Sequence, residues 1–201
     1  ETGVMLPRVS NLLSSGNQKA VNKLHEMSFL VYNLVIFPMI AGILIVNKDF
    51  VNFFLGQDFQ DARYAIAIMV FRMFFIGWTN IMGIQILIPH NKNREFMLST
   101  TIPAVFSVGL NLLLIPPLGY IGASIVSVAT EGLVWLIQLY FTRSYLKEVK
   151  ILPSMLKILL AALLMYGALY SAQAFMHFSS VVNVLIYAAL GFLVYGGLIL
   201  L

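Results

Sequence analysis

The sequence has 201 residues, of which 60% are hydrophobic and only 10% are charged. A soluble domain carries about 25% charged residues, so this chain has too little polar surface to cover a globule in water, and most of it belongs in a lipid bilayer. The formal net charge is +4 and there are no cysteines, which excludes disulfides, thiolate catalysis and cysteine-based metal sites from this chain.

The first stretch of the chain is more polar than the rest. Residues Ser14–Met27 are predicted to form a short interfacial helix, with Asn17 as its N-cap and basic residues on its exposed side. The chain begins at Glu1 rather than at a methionine and ends within an apolar run at Leu201. We therefore expect an internal or C-terminal piece of a longer membrane protein.

Six apolar runs follow, each long enough for a transmembrane helix, which needs about 20 residues. They are predicted at roughly Ser28–Val46, Tyr64–Ile88, Phe96–Ile115, Tyr120–Thr142, Met155–Phe175 and Val181–Leu201. The runs are continuous and rich in Leu, Ile, Ala and Met, and they do not alternate as the strands of a transmembrane barrel do. The sequence predicts an all-α, polytopic transmembrane bundle of about six membrane-spanning helices.

A tight turn separates the third and fourth runs, because residues 96–142 are far too many for one crossing. Pro116 and Pro117 lack backbone N–H donors and are predicted to stop the third helix. Gly119 and Gly122 permit a tight turn and close helix contact. The four residues predict a helical hairpin with its tip at the membrane surface.

The basic residues indicate an orientation, since short loops rich in Lys and Arg stay in the cytoplasm. The connections on the other side of the membrane carry only Lys48 and Arg63. One alternate set of connections carries nine basic residues, namely Arg8, Lys19, Lys23, Lys92, Arg94, Arg143, Lys147, Lys150 and Lys157. We expect this set to be cytoplasmic and the hairpin tip to be outside.

Polar residues within the predicted helices are candidates for an inward-facing cavity, because spacings of three, four and seven put them on single helix faces. The candidates are Arg72, Thr79 and Asn80 in the second run, Ser107 and Asn111 in the third, and Ser127, Glu131 and Gln138 in the fourth. The last two runs carry mainly tyrosines inside them, Tyr166, Tyr170, Tyr187 and Tyr195, which suit interfaces and lipid contact.

Two of these candidates, Arg72 and Glu131, are charged. A charge near the centre of a membrane helix costs roughly 2.5–3.5 kcal/mol on insertion scales, so such residues face a cavity or each other. Their predicted depths are compatible with contact. The pair either fixes helix packing, or Arg72 meets an anionic substrate group with Glu131 as its resting partner or as a cation-coupling site.

Plainer explanations apply to the other candidates. Stripes of Ser and Thr also serve as helix-packing surfaces, and Asn111 can equally tie down the hairpin. No pattern in the sequence indicates a catalytic constellation, a metal site or a cofactor. The net charge of +4 comes from the loops, so membrane topology accounts for it better than nucleic-acid binding does.

Four stretches of the chain carry a family resemblance. They are VMLPRVSNLLSSGNQKAVNK, FFLGQDFQDARYAIAIM, IQILIPHNKNREF and NLLLIPPLGYIGASIVSVATEG. In order and spacing they resemble the polysaccharide flippases of O-antigen, capsule and exopolysaccharide synthesis, in the MOP exporter superfamily, which also holds lipid II flippases and MATE multidrug exporters. The last stretch is similar to the family's Asn-Leu-x-Leu-Ile-Pro-x-x-Gly-x-x-Gly-Ala hairpin and continues with Ala123.

The resemblance implies an arrangement of domains within a two-lobed transporter of about 12–14 helices. Residues 1–27 would be the end of a preceding helix and a cytoplasmic interfacial segment. Residues 28–150 would be the last four helices of the second lobe, and residues 151–201 an additional C-terminal helix pair. The remaining N-terminal portion of the same chain would then be a partner of this one.

The resemblance also implies a function, which is to move a polyprenyl-pyrophosphate-linked oligosaccharide from the inner to the outer leaflet of the bacterial plasma membrane. The protein would be a transporter and not an enzyme. Its partners would be the lipid-linked oligosaccharide and membrane lipids, with a polysaccharide polymerase as a further candidate. The alternatives are a MATE-type drug/cation antiporter and a non-transporting scaffold for cell-envelope assembly; a membrane-embedded glycosyltransferase would need acidic catalytic residues at a membrane surface.

Overall fold

The computed structural model describes residues 2–174 and 179–200, and within these ranges the chain forms six α-helices and no strand. A 3₁₀ turn, Gln57–Phe59, links the second helix to the third, and a π-helical segment, Ile81–Leu87, continues the third. The helices are α1 (Thr2–Ser14), α2 (Gln18–Phe54), α3 (Ala62–Asn80), α4 (Asn93–Leu146), α5 (Leu152–Gln173) and α6 (Ser180–Leu200).

Five helices of the described ranges are long and apolar enough to cross a membrane: α2, α3 with its π segment, α4, α5 and α6. Helix α4 has 54 residues, which would measure about 80 Å if straight, against a hydrocarbon core of about 30 Å. It reverses at Gly119 and supplies two crossings. The predicted all-α bundle of six membrane-spanning helices is confirmed, and the chain is part of a multi-pass membrane protein.

The two arms of α4 run antiparallel. Gly119 is non-helical, with φ 54° and ψ −131°, a region that favours glycine. Far from the turn, the Gln138 side chain donates a hydrogen bond of 3.2 Å from Nε2 to Ser99 Oγ. The two residues are 39 positions apart and would lie about 58 Å apart along a straight helix, so the contact requires a hairpin.

The turn itself differs in detail from the prediction. Pro116 and Pro117 do not stop the helix, which continues to Leu118. The reason is that proline's fixed φ is compatible with a helical last turn, while the positive φ belongs to Gly119. Gly122 lies against the opposite arm, where an added Cβ would be 2.3 Å from the carbonyl oxygen of Leu114.

Helix α2 is longer than predicted. Asn17 is its N-cap, and its side chain accepts a hydrogen bond of 3.2 Å from the backbone N–H of Ala20. The prediction of a separate interfacial helix over Ser14–Met27 is wrong, because one helix runs from Gln18 to Phe54. The change from polar to apolar composition at Met27 does not interrupt the backbone hydrogen bonds, since no glycine or proline stands between Asn17 and Pro38.

The π-helical segment after α3 was not predicted. Its glutamine, Gln85, is held by α2: His25 Nε2 lies 3.2 Å from the Gln85 carbonyl oxygen, and Ser28 Oγ donates to Gln85 Oε1 at 2.8 Å. His25 and Gln85 are buried. These contacts join the π-helical segment at the end of α3 to the first turns of α2.

Aromatic side chains form the centre of the packing between α2, α3 and the second arm of α4. Trp78 lies 4.7 Å from Phe29 and 6.2 Å from Trp135, measured between ring centroids. Trp78 Nε1 donates a 3.0 Å hydrogen bond to the buried side chain of Asn33. The cluster fixes α3 between the other two helices. It thereby positions Arg72, which lies six residues before Trp78 on α3.

Helices α5 and α6 pack on α2. Tyr187 is only 2% exposed and belongs to a cluster with Ile45 and Leu169, and Tyr195 donates a 2.7 Å hydrogen bond to the carbonyl oxygen of Leu34. The expectation of lipid contact is therefore wrong for Tyr187, whereas Tyr195 is half-buried and Tyr170 is exposed. The predicted helix ends at Phe175 and Leu201 lie outside the described residues.

Candidate functional site

The structure brings together the two charged candidates of the membrane-spanning region. Arg72 on α3 donates to a single carboxylate oxygen of Glu131, on the second arm of α4, from Nη2 at 2.9 Å and from Nε at 3.3 Å. The Arg72 side chain is 39% exposed and that of Glu131 is 20% exposed. The ion pair therefore lies at the edge of the helix packing and is open on one side.

Small and aromatic neighbours hold this pair in place. Gly132, which follows Glu131, faces the ring of Phe75, and an added Cβ there would meet the ring at 3.6 Å. Trp135, one turn further on, lies 5.8 Å from the same ring. These contacts pack α3 against the second arm of α4 in the part of the helices that carries the ion pair.

The ion pair is not saturated. Both hydrogen bonds end on Oε1 of Glu131, and neither Oε2 of Glu131 nor Nη1 of Arg72 has a hydrogen-bond partner among the described residues. A guanidinium presents five donors in a plane and binds phosphate or carboxylate oxygens with two parallel hydrogen bonds. The exposed edge of Arg72 is therefore chemically suited to an additional anion.

The two polar candidates that follow Arg72 on α3 serve their own helix. Thr79 Oγ1 donates to the carbonyl oxygen of Ile76 at 3.0 Å, and Asn80 Nδ2 donates to the same oxygen at 2.8 Å. Thr79 is buried. Both residues lie about two turns from Arg72, so they do not extend the exposed guanidinium site.

The remaining candidates on α4, Ser107, Asn111 and Ser127, lie on both arms of the hairpin. Asn111 Nδ2 donates to Ser107 Oγ at 3.3 Å within the first arm. Ser127 lies one turn from Glu131 on the second arm and makes no hydrogen bond to the described residues. No hydrogen bond within the described ranges joins these residues to Arg72 or Glu131.

Gln138 does not line an open cavity. It is 1% exposed and lies between the two arms of α4, bonded to Ser99, while its Oε1 has no partner. Its position inside the packing of this chain makes it a helix-packing residue. Ser99 was not predicted from the sequence, although a turn at Gly119 brings together positions at similar distances on either side, and Ser99 and Gln138 are 20 and 19 positions away.

An apolar groove lies between α2, α3 and α5. Its volume is about 390 Å³, and its lining includes Phe71, which precedes Arg72 in sequence, Phe75, three positions after Arg72, and Phe37 and Leu159. Across the described residues, 2–174 and 179–200, no three His, Asp or Glu side chains are arranged to hold a metal ion.

Residues 2–190 match the sequence model of the family described as lipid II flippase MurJ. The chain belongs to this family. Its members are transporters, and it falls within the superfamily that the sequence motifs indicated, so the predicted family is confirmed.

Relatives and a solved structure agree with this assignment. The putative O-antigen transporter of Escherichia coli is 29% identical over 153 residues, covering 71% of this chain and 34% of that protein. The probable low-salt glycan biosynthesis flippase of Haloferax volcanii is 23% identical over 198 residues, covering 98% of this chain and 42% of that protein. The chain thus spans well under half the length of these relatives.

The fold matches a solved lipid II flippase MurJ in an inward closed conformation. The TM-score is 0.82 with 17% sequence identity, and the match covers 98% of this chain and 41% of that protein. At this identity the likeness concerns the fold, which is that of the MurJ family.

Proposed function

We propose that the full-length protein moves a polyprenyl-pyrophosphate-linked oligosaccharide from the inner to the outer leaflet of a membrane. The observation that carries the proposal is the family match over residues 2–190, together with relatives described as an O-antigen transporter and a glycan biosynthesis flippase. The protein is a transporter in this proposal, with no catalytic residues.

The physical task explains why a membrane chain would keep Arg72. A sugar head group and a pyrophosphate cannot cross hydrocarbon unless polar groups replace water around them. Arg72 offers a charged, exposed guanidinium edge inside an otherwise apolar helix pair. We assign to it the binding of the pyrophosphate or of an acidic sugar.

Glu131 is the resting partner of Arg72 in this proposal. A lone Arg in the membrane is costly, and the ion pair lowers that cost when no substrate is bound. Because only one carboxylate oxygen is engaged, an arriving phosphate can take up the free donors of Arg72 before the existing bonds break. Substrate can thus replace the carboxylate in steps.

The apolar groove between α2, α3 and α5 suits the other end of the substrate. Its lining by Phe71, Phe75 and Leu159 offers no charged group, and it lies among crossing helices. A polyprenyl tail is entirely apolar and gains by covering such a surface. The proposal places the head group near Arg72 and the tail in this groove or in the adjoining lipid.

The proposed place of this chain in the whole protein follows from its helices. Helix α1 would be the end of a preceding helix, α2–α4 the last four crossings of the second lobe, and α5–α6 the additional C-terminal pair. The rest of the same polypeptide would face the exposed side of Arg72. The proposed membrane is the bacterial plasma membrane, and a polysaccharide polymerase is a candidate partner.

The proposal is tested in a bacterial cell that lacks its own oligosaccharide flippase. Expression of the full-length protein should restore surface glycan. The same cells should gain no resistance to cationic drugs, which a MATE-type antiporter would confer. Drug resistance without surface glycan would contradict the flippase proposal and support a MATE-type antiporter instead.

A further inference from the structure

A polar pocket, separate from the apolar groove, lies at the end of the α4 hairpin that is opposite to Gly119. It has a volume of about 260 Å³. Lys92 and Glu95 line it from the start of α4, and Tyr140, Arg143 and Tyr145 line it from the end. We call it the basic pocket. The proposed transport function does not use it.

The charges in the basic pocket favour an anion. Lys92 Nζ lies 2.9 Å from Glu95 Oε1, so the single carboxylate of the lining is already paired. That hydrogen bond, together with the charge of Glu95, raises the pKa of Lys92 and keeps the lysine cationic. Arg143 makes no ion pair with the described residues; its guanidinium stacks on the ring of Tyr140, with Cζ 4.4 Å from the ring centroid. The two cations outweigh the one carboxylate.

Aromatic side chains contact Arg143 and fix one wall of the pocket. Stacking on Tyr140 holds the guanidinium plane while leaving its N–H donors free at the edge. Tyr145 is fixed from the other side by His90, with ring centroids 4.1 Å apart. His90 is held in turn because its Nδ1 lies 2.7 Å from the carbonyl oxygen of Ile86. These contacts position the Arg143 guanidinium and the Tyr145 ring at the pocket wall.

We propose that the basic pocket binds the phosphate group of an anionic phospholipid from the surrounding leaflet. A phosphate diester accepts charge-assisted hydrogen bonds from a guanidinium and an ammonium. Basic pockets between transmembrane helices at a membrane surface are established sites for such head groups. A volume of about 260 Å³ suits a head group and not a whole lipid.

The surface just below the basic pocket argues for a lipid over free phosphate. Tyr140 and Leu136 lie on the same face as Arg143, at spacings of three and four, and both are exposed. On the other arm, Leu98 and Ile102 follow Glu95 at the same spacings and are also exposed. Acyl chains of a lipid held by its phosphate would cover these side chains.

The experiment uses the full-length protein in detergent and native mass spectrometry to count bound lipid. We expect phosphatidylglycerol to bind more tightly than phosphatidylcholine, and Arg143→Gln to weaken phosphatidylglycerol binding roughly tenfold. Arg94→Gln is the matched control, since it removes one charge from the same membrane face but does not line the pocket. It should leave the affinity within about twofold, because a screened surface charge contributes little.

Further arms separate the possible sources of the phosphate. Inorganic phosphate at the same concentration should not displace the lipid, and displacement would overturn the proposal in favour of a free-anion site. Arg143-dependent binding of polyprenyl pyrophosphate without that of phosphatidylglycerol would also overturn it. If Arg143→Gln and Arg94→Gln weaken phosphatidylglycerol binding equally, the binding comes from general surface charge and the proposed site is refuted. If Arg143→Gln does not fold, Lys92→Gln must weaken phosphatidylglycerol binding severalfold, and an unchanged affinity refutes the site.

Discussion

Gln138 donates a hydrogen bond of 3.2 Å to Ser99 although 39 positions separate the two residues. The bond connects the two arms of the α4 hairpin. Gln138 is 1% exposed and its Oε1 has no partner. A buried amide with one unpaired oxygen stabilises the fold less than its single hydrogen bond suggests. The contact nevertheless fixes which positions of the arms face each other.

Substitution of Gln138 distinguishes packing from substrate contact. Gln138→Leu keeps the approximate volume and removes the unpaired oxygen, so we expect a stability change within about 1 kcal/mol and normal transport. Gln138→Glu places a carboxylate between the arms and should sharply lower folded yield. Thermal unfolding of the purified full-length protein and surface glycan are the measurements. Loss of transport with an intact fold in Gln138→Leu would return Gln138 to the substrate-binding set.

The glycines of α4 should differ in their tolerance of an added side chain. Gly122→Ala drives a Cβ into the carbonyl oxygen of Leu114, and Gly119→Val forces a β-branched residue to positive φ. Each should cost about 1–3 kcal/mol and reduce the folded fraction. Leu118→Val and Gly109→Ala are the controls, since Leu118 is exposed and a Cβ at Gly109 meets nothing within 4 Å. Size-exclusion yield of all four variants measures the effect, and equal yields would show that the turn is looser than the structure indicates.

Membrane orientation can be tested by cysteine labelling, because the 201-residue sequence has no cysteine of its own. Leu118→Cys, at the exposed hairpin tip, should react with an impermeant reagent from outside, and Arg94→Cys only from the cytoplasm. The reason is the excess of basic residues on the connections that include Arg94. Labelling of Leu118→Cys from the cytoplasm alone would invert the proposed topology.

The number of crossings and the hairpin were predictable because the bilayer imposes a length on every apolar run and glycine and proline mark the reversal. Contacts between helices were harder to predict from the sequence. The Trp78–Asn33 and Tyr195–Leu34 hydrogen bonds join residues 45 and 161 positions apart, and nothing in local spacing predicts which helices become neighbours. The Ser99–Gln138 contact was not predicted either, although a hairpin with a known turn fixes its own register.

The π-helical segment Ile81–Leu87 was also beyond sequence reasoning. Its composition is that of an ordinary apolar helix, and six of its seven residues are buried. Gln85 in this π-helical segment is contacted by His25 and Ser28. Both residues belong to α2, so the local sequence of the segment does not predict these contacts. In the candidate site, depth along the helices made contact between Arg72 and Glu131 plausible from the sequence, but the bonding of only one carboxylate oxygen required the structure.

The contribution of charge and geometry at Arg72 can be separated by a conservative change. Arg72→Lys keeps a cation near Glu131 but loses the planar set of donors that engages Oε1 while leaving others free. We expect normal membrane abundance with reduced surface glycan, intermediate between wild type and Arg72→Ala. Full export by Arg72→Lys would show that only the charge matters, and none at all would show that two-pronged anion binding is essential.

The most direct test of the central claim, that Arg72 binds the anionic head group, is the variant that combines Arg72→Ala with Glu131→Gln. If the ion pair only stabilises packing, removing both charges relieves the unpaired carboxylate and restores abundance and export together. The measurement is membrane level alongside surface glycan in a flippase-null cell, with Arg94→Ala as the charge-matched control. The account predicts a double variant that is abundant but exports roughly tenfold less glycan or none; export at the wild-type level would contradict it.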